Sequence, residues 1–448
     1  METLDSLRYS FVVDLLYQNQ KPVFITGTSG TGKSIHLSRL PCVPLMLTST
    51  TSPLMLQLAI ESKLEKIKKN LLGGKVGEVM VVAIDDTNMP DIEEYGAMPP
   101  VEVLRTIIDK EGVWDRKERF WKHIVNTVLV CACSSPGGGR NPLPPRFTRH
   151  FNLMCLPIAS DQTLIRIFKS ILESFVIANG FFDPIKKSVD GVVRATIELY
   201  VKIIKEKLPI PSKFHYTFNL RDISKVFQGI LQMKPSTVRD ADTFGKLWFH
   251  EIQRVFRDRL NTQEDHEWFH LMSCDLLESY FRVHAREEKF YFSDILKLDS
   301  REYEILGDLK KVAKTLDEKQ DDYNSSGATK LNLVFFEDCM ENILRICRVL
   351  RLPRGNALLI GVAGSGKQSL TKLSAFINES VVMQVQMTKG YNLESFRTFL
   401  KDMMRDASNR NVSVTFLFTD NQILQEVFLE DINNILNSGE VPNIWAID

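Results

Sequence analysis

One pattern of apolar and polar positions occurs twice along the chain: a short apolar run, a glycine-rich turn, then apolar residues at helical spacing. The first copy reads PVFITG, TSGTGKS and a predicted helix over about Lys33 to Leu40. The second reads NALLIG, VAGSGKQS and a predicted helix over about Lys367 to Ile377. A second apolar run follows in each (PLMLTST; VVMQVQM), then a charged helical segment (Pro53–Lys69; Leu393–Met404). Each copy then reaches an apolar strand with an acidic end, VMVVAIDD and VTFLFTDN. Lys33 precedes Asp85 by 52 residues and Lys367 precedes Asp420 by 53, so the copies share one register at an offset of 334. Strands alternating with helices predict an α/β fold, a parallel sheet with helices on both faces.

The interval between the copies reads as helical. Asp161–Asn179, Ile185–Lys207, Arg221–Met233, Asp242–Leu260 and Glu264–Val283 carry apolar residues three and four apart. Pro209 and Pro211 separate two of them. The stretch DEKQDDYNSSGATK, Asp317 to Lys330, lacks that periodicity and is expected to be an exposed linker. The expected organisation is therefore an α/β module at 1–157, a helical subdomain at 158–260, a connector at 261–330 and a second α/β module at 331–448. Further strands should follow the acidic end of the apolar strand in such a module, so the second is expected to be incomplete, and the chain a fragment or truncated product.

At 448 residues the chain has room for two or three domains. Lys+Arg and Asp+Glu both number 56, and a formal net charge of zero argues against bulk electrostatic attraction to nucleic acid or anionic lipid. No run approaches the roughly 18 apolar residues of a membrane span, and METLDSLRYS has no signal-peptide character. Seven scattered cysteines fit a reducing compartment better than a disulfide framework.

The glycine-rich turns carry the chemistry. Gly27, Gly30, Gly32, Lys33 and Ser34 fit G-x-x-x-x-G-K-[ST] between a strand and a helix, as a phosphate-binding loop requires. Backbone N–H groups turn inward around the phosphates of ATP or ADP, and the helix N-terminus adds partial positive charge. Lys33 is expected to reach the β- and γ-phosphates and Ser34 to ligate Mg²⁺. A fortuitous glycine turn is the rival reading, and the flanking elements oppose it. Gly361, Gly364, Gly366 and Lys367 repeat the loop, but Gln368 stands at the magnesium position and Ser369 one place later. A Gln carbonyl ligates Mg²⁺ there only by displacing the loop's geometry. Nucleotide binding is expected to survive in the second copy, and efficient hydrolysis is not.

The acidic strand ends sharpen that contrast. In phosphate-loop ATPases the first acid orders Mg²⁺ through water and a following Glu polarises the attacking water. The first copy has Asp85 and Asp86, one methylene short at the second position, so slow hydrolysis is expected at most. The second has Asp420 followed by Asn421, which is no base. Acidic residues in an ordinary strand-ending turn would be the plain alternative, were the spacing from both loops not matched.

Four further stretches, NMPDIEEYGAMPPVEVLRTIIDKEGVWDR, PGGGRNPLPPRFTRHFN, FHYTFNLRDISKVFQGIL and FLEDINNILNSGEVPNIW, together resemble dynein heavy chains, the axonemal branch above all. The resemblance spans nearly the whole chain. It implies AAA+ P-loop modules with a helical lid, the first being the third unit of a six-unit ring. The second would be the start of the fourth, whose later part carries the coiled-coil stalk. By the same resemblance, Arg146 or Arg149 in RFTRH is an arginine finger serving the preceding module's site. A structural Arg–carboxylate pair is the alternative for either. Arg221 in FNLRD resembles the lid arginine that reaches the γ-phosphate. The sensor position at the end of the predicted strand IVNTVLVCAC, Asn in the superfamily, falls on Ser134 or Ser135. The implied setting is the cytoplasm and cytoskeleton, in a ciliary or flagellar axoneme. The implied partners are other ring modules and dynein light and intermediate chains, with microtubules reached only through the intact motor. A non-catalytic ATP-binding scaffold or short isoform is the alternative function.

Three weaker signals remain. His266-Glu267-Trp268-Phe269-His270 spells the zinc motif H-E-x-x-H, with Glu287 and Glu288 where a third ligand could follow; a surface helix is the expectation instead. Cys131 and Cys133 are expected to be buried strand residues rather than metal ligands. The charges of Ser62–Lys69 are expected to line a solvated helix face.

Overall fold

The first apolar run becomes the middle of a sheet. In the computed structural model, which describes residues 3–74, 79–286, 289–326, 330–410, 412–439, 441 and 444–445, two compact units emerge, Met1–Ile167 and Phe168–Asp448. The first unit opens with helix α1 (Leu4–Gln18), strand β1 (Val23–Thr26), α2 (Lys33–Ser38), β2 (Cys42–Met46) and α3 (Pro53–Glu61). Strands β3 (Glu65–Lys68), β4 (Leu71–Gly73) and β5 (Met80–Asp85), helix α4 (Pro99–Lys110), and β6 (Gly112–Trp114), β7 (Trp121–Val125) and β8 (Thr127–Cys133) follow. The unit closes with α5 (Pro145–Thr148) and β9 (Asn152–Cys155).

The main sheet has the order β2-β5-β8-β1-β9, every pair parallel. Successive strand residues point to opposite faces, and they feed two cores. Phe24, Val82, Ile84 and Cys131 pack with Leu56, Leu104 and Phe147 on one side. Val23, Ile25, Val81, Ala83 and Val130 pack with Val13 and Leu37 on the other. The parallel sheet with flanking helices is thus the architecture that the alternating pattern predicts.

Two expectations fail in this unit. Pro53–Lys69 is not one helix: α3 stops at Glu61, and the charged run 65–68 is an exposed strand of a second sheet, ordered β3-β4-β7-β6. Its charges are solvated, but on a strand. The cause lies far along the chain. β4 pairs in parallel with β7, so closely that a Cβ on Gly73 would sit 2.4 Å from the Val125 carbonyl. The apolar run up to Cys133 is likewise not one strand, because Asn126 takes a left-handed φ of 52° and divides it between the two sheets.

The second unit is helical first. α6 (Asp161–Ala178), α7 (Asp183–Glu206), α8 (Leu220–Ile230), α9 (Ala241–Val255) and α10 (Gln263–Phe281) each bury one apolar face. Phe168 stacks on Phe227 at 4.7 Å, and fully buried Trp248 donates its ring N–H to Thr196 Oγ1 at 2.9 Å. A hairpin of β10 (Phe292–Ser293) and β11 (Glu304–Ile305) leads to α11 (Leu309–Ser325). The expected linker over Asp317–Lys330 is therefore mostly helix. Val312, Leu316 and Tyr323 repeat at four and seven residues on a very polar helix and bury in one cluster; residues 327–329 lie outside those described.

Helices α12 (Glu337–Arg351) and α13 (Lys367–Ile377), strand β12 (Val381–Gln384), α14 (Leu393–Arg410), β13 (Val414–Leu417) and α15 (Glu426–Ser438) complete the unit. β12 and β13 pair in parallel, as β2 and β5 do. The NALLIG run, however, forms no strand: Leu358 and Ile360 are 86% and 88% exposed. Its counterpart β1 is held between β8 and β9, and counterparts of those two strands do not occur among the described residues. An apolar run without edge partners leaves its backbone to water.

Helices α9 and α12 meet through buried charge. Glu251 is fully buried and accepts from Tyr303 Oη at 2.8 Å and Arg348 Nε at 3.0 Å. Arg345–Asp258 and Arg254–Glu341, both 3.3 Å, flank that pair. Removing one partner strands a buried charge, so Arg348→Met should destabilise this unit by about 3–5 kcal/mol. Adding Glu251→Leu should restore most of the loss, read from urea midpoints of the second unit's transition.

Candidate functional site

Where β1 ends, the chain turns through Gly27 to Gly32 and enters α2. A Cβ on Gly27 would lie 2.8 Å from the Leu156 carbonyl, and Gly32 caps α2 at φ +89°, a backbone that side chains resist. The glycines therefore permit both the close pass of the β9 segment and the turn that aims the α2 N-terminus at a ligand. Lys33 is buried and folds back on the loop, donating to the Gly27 and Thr28 carbonyls at 2.9 and 2.8 Å. Burial lowers its proton affinity; Asp85 and Asp86 oppose that and Arg140 adds to it.

Ser34, one residue on, is exposed, and its hydroxyl donates to Asp85 Oδ2 at 2.5 Å. Parallel pairing of β5 through β8 to β1 brings a residue 51 positions away to the loop's mouth. A hydroxyl and a carboxylate in contact beside a phosphate loop form the hard-oxygen set that Mg²⁺ takes together with phosphate oxygens. The residues fit the ion. Asp86 follows at φ +49°, with its amide bonded to Asp85 Oδ1 at 2.9 Å. Burial, then the Asp85 charge, raise its carboxyl above the usual range, against Arg140 and Lys33.

Two neighbours of these residues were not singled out in the sequence. Arg140 stands 3.6 Å from Asp86 as an ion pair, and buried Asn88 donates to the Ser134 carbonyl at 2.8 Å. Ser134 is buried and Ser135 exposed, so the side-chain amide beside this strand end belongs to Asn88. For Arg140 the signal was present in PGGGRN, a glycine-rich turn with one cation, directly after the strand that pairs with the acid-bearing one.

The second loop repeats the lysine and the left-handed glycines but not the contact to an acid. Gly366 caps α13 at φ +78°, and Lys367 donates to the Gly361 and Val362 carbonyls at 2.5 and 2.8 Å. Gly364 is left-handed at φ +80°. Gln368 is exposed and Ser369 partly so. β13 ends at Leu417, and Asp420 opens a 3₁₀ turn three residues beyond, not at the strand end that VTFLFTDN predicts. Among the described residues no bond joins Asp420 to Gln368 or Ser369, so this site lacks the link that Ser34 makes to Asp85.

Of the predicted arginines, Arg146 is committed to Glu102 by two bonds, 2.9 and 2.8 Å. Arg149 is 66% exposed and stands 3.9 Å from Asp109. Arg221 is exposed at the start of α8, where Asn219 caps its backbone N–H. His266 and His270 lie on α10, and His270 Nε2 is 3.0 Å from the Arg286 carbonyl. Glu287 and Glu288 lie outside the described residues. Cys131 and Cys133 are buried in β8, and no cluster of three His, Cys, Asp or Glu able to hold a metal occurs among the described residues. No described helix is long and apolar enough to cross a membrane.

Comparisons with known proteins agree with one another. Residues 1–159 match the family model of the P-loop containing dynein motor region, and residues 331–448 that of the P-loop containing dynein motor region D4. Residues 192–290 match the AAA+ lid domain. The whole chain is 42% identical to human dynein axonemal heavy chain 6 and 40% identical to mouse dynein axonemal heavy chain 1, covering 11% of each. It is 37% identical to mouse dynein axonemal heavy chain 3, covering 12%. The chain thus spans about a tenth of the length of the curated relatives it matches.

The raised Asp86 carboxyl has a consequence for stability. A group whose proton binds more tightly in the folded state favours folding below its unfolded pKa and loses that contribution as pH rises through the folded one. Asp86→Asn should therefore raise the melting temperature of the first unit by a few degrees at pH 7–8. The gain should vanish as pH falls toward 3, as followed by thermal melts across that range.

Proposed function

Because the chain belongs to the axonemal dynein heavy-chain family, we propose that it is an ATP-binding segment of the motor ring. In this reading it contributes regulatory nucleotide sites to microtubule-based ciliary movement. The Ser34–Asp85 contact at the mouth of the first loop carries the proposal. Lys33 would leave the Gly27 and Thr28 carbonyls for the β- and γ-phosphates, and the α2 N-terminus would face them. Ser34 and Asp85 would hold Mg²⁺, which supplies charge neutralisation across those phosphates. Asp86 would orient or deprotonate water; its short side chain and its ion pair with Arg140 support slow turnover at most. Arg149 has the freer guanidinium and suits a finger directed at a neighbouring module, whereas Arg146 is occupied by Glu102. Arg221 would serve from the lid.

The second loop, with Gln368 at the metal position and Asp420 displaced from the strand, suits nucleotide holding rather than hydrolysis. The domain division at 157/158, 260/261 and 330/331 belongs to the same proposal, as does a cytoskeletal, axonemal setting. Ring neighbours, light chains and intermediate chains are the partners. Exposed Leu4, Leu7, Phe11 and Leu15 on α1 support a neighbouring module. α1 precedes its phosphate loop as α12 precedes the second loop, and α12 is covered by lid-side charge. Microtubules would be reached only through the intact motor.

A second reading, a non-catalytic ATP-binding scaffold, is favoured by the same Asp86–Arg140 pair. One measurement separates them: ATP binding and turnover by the purified chain beside Lys33→Ala. The substitution should weaken ATP binding by about 100-fold or more, since it removes a charge-assisted contact to two phosphates. Slow turnover that disappears with Lys33 supports the ATPase; binding without turnover supports the scaffold; binding indifferent to Lys33 defeats both.

A further inference from the structure

The loop from Pro136 to Asn141 is built differently from the rest of the site. Gly137, Gly138 and Gly139 take φ of +119°, +61° and +83°, and a Cβ on any of them would meet nothing within 4 Å. Close packing therefore does not explain these glycines; their left-handed backbones do. The turn is closed by Gly137 N–H to the Arg140 carbonyl, 2.9 Å, and Arg140 N–H to the Gly137 carbonyl, 3.3 Å. Its far end is fastened to the segment after Asp86: Asn141 N–H donates to the Asn88 carbonyl at 2.9 Å, and Asn141 Nδ2 to the Pro90 carbonyl at 2.8 Å. A glycine hinge with a tethered end thus presents one cation to the acidic pair.

The hold of that cation on Asp86 is loose. At 3.6 Å the pair is longer than a charge-assisted hydrogen bond. The Arg140 Nε is buried without an acceptor, and so is the neighbouring Asn88 Oδ1 without a donor. Asp86, the partner of Arg140, follows directly on Asp85, which takes the Ser34 hydroxyl beside Lys33, so Arg140 stands next to the acids at the mouth of the loop. Two cations that repel each other across one position are both drawn to an anion there. A phosphoryl group offers three oxygens to a guanidinium fork, where Asp86 offers a contact of 3.6 Å.

Resting on the nucleotide reading above, we propose that Arg140 is a positioning residue responsive to the γ-phosphate: it holds Asp86 when that phosphate is missing and moves from Asp86 to the phosphate when it is bound. The strand end carries Ser134 and Ser135 where a sensing amide would stand, and Arg140 takes over that discrimination from the adjoining loop. The site would then distinguish triphosphate from diphosphate and release Asp86 only in the triphosphate state.

The test is a set of dissociation constants, with Mg²⁺, for ADP and for the slowly hydrolysed ATPγS. The proteins compared are the wild-type chain, Arg140→Ala, Arg140→Lys, Asp86→Asn and Asp86→Asn/Arg140→Ala. Arg140→Ala should weaken ATPγS about tenfold and ADP less than about twofold, the size expected for one charge-assisted contact. Arg140→Lys should recover part of the loss, which a purely structural role would not predict. Asp86→Asn should tighten ATPγS about threefold to fivefold when Arg140 is present and leave it unaltered when Arg140 is Ala. Equal effects of Arg140→Ala on both nucleotides, or an Asp86→Asn effect independent of Arg140, would overturn the latch while the nucleotide site stands. A wild-type chain that binds neither nucleotide overturns the nucleotide reading and the latch together.

Discussion

β1 has a parallel neighbour on each edge, β8 and β9, and the first site depends on that double pairing. With both edges occupied, the backbone of Val23–Thr26 satisfies its hydrogen bonds inside the sheet, and the loop that follows leaves at a set height. β5 is registered to β8, Ile84 opposite Cys131, so the Asp85 carboxylate arrives level with the start of α2. The Ser34–Asp85 contact is thus a product of strand register rather than of local turn geometry. Where the pairing is missing, over 356–361, the same kind of apolar run stays exposed and the acid falls in a 3₁₀ turn.

This gives a physical account of why two similar loops are unequal. Both place a lysine at a helix N-terminus, and both lysines fold back on their own loop carbonyls. That part is local and needs no sheet. The proposed magnesium position is different: it would take a hydroxyl at the residue after the lysine and a carboxylate delivered by a strand. The second loop lacks the hydroxyl by sequence and lacks the delivery by structure. Gln368 alone would have sufficed to weaken a magnesium site there.

The second unit is organised around charge as well as apolar surface. Glu251 and Arg348 come from helices almost a hundred positions apart, and both are buried. Such a pair adds little net stability over apolar residues of similar size, but it specifies how α9 and α12 meet. α12 also packs its apolar side with α11 and α13, the helix that begins at Lys367. Within this unit α12 therefore contacts both the lid-side helix α9 and the helix that begins at the second loop.

The amino-acid sequence by itself determined both phosphate loops, their common register, the acidic pair and the absent hydroxyl at Gln368. Each of those features is a short local motif that can be read without knowing which distant segments it will meet. Helices with clear apolar spacing, such as α7 and α10, were legible for the same reason. Tertiary structure decided the rest. Whether 356–361 is a strand depends on neighbours to either side of it; whether 65–68 is helix or hairpin depends on β4 reaching β7; and Asn126 splits one apolar run because two sheets need strands there. Arg146 and Arg149 look equivalent in RFTRH, yet only Arg146 finds Glu102 at close range. Arg140 was one cation in a glycine turn until β8 and β5 paired and set it against Asp86. Strand pairing and ion pairing join residues distant in the chain, and no local pattern encodes which partners will meet.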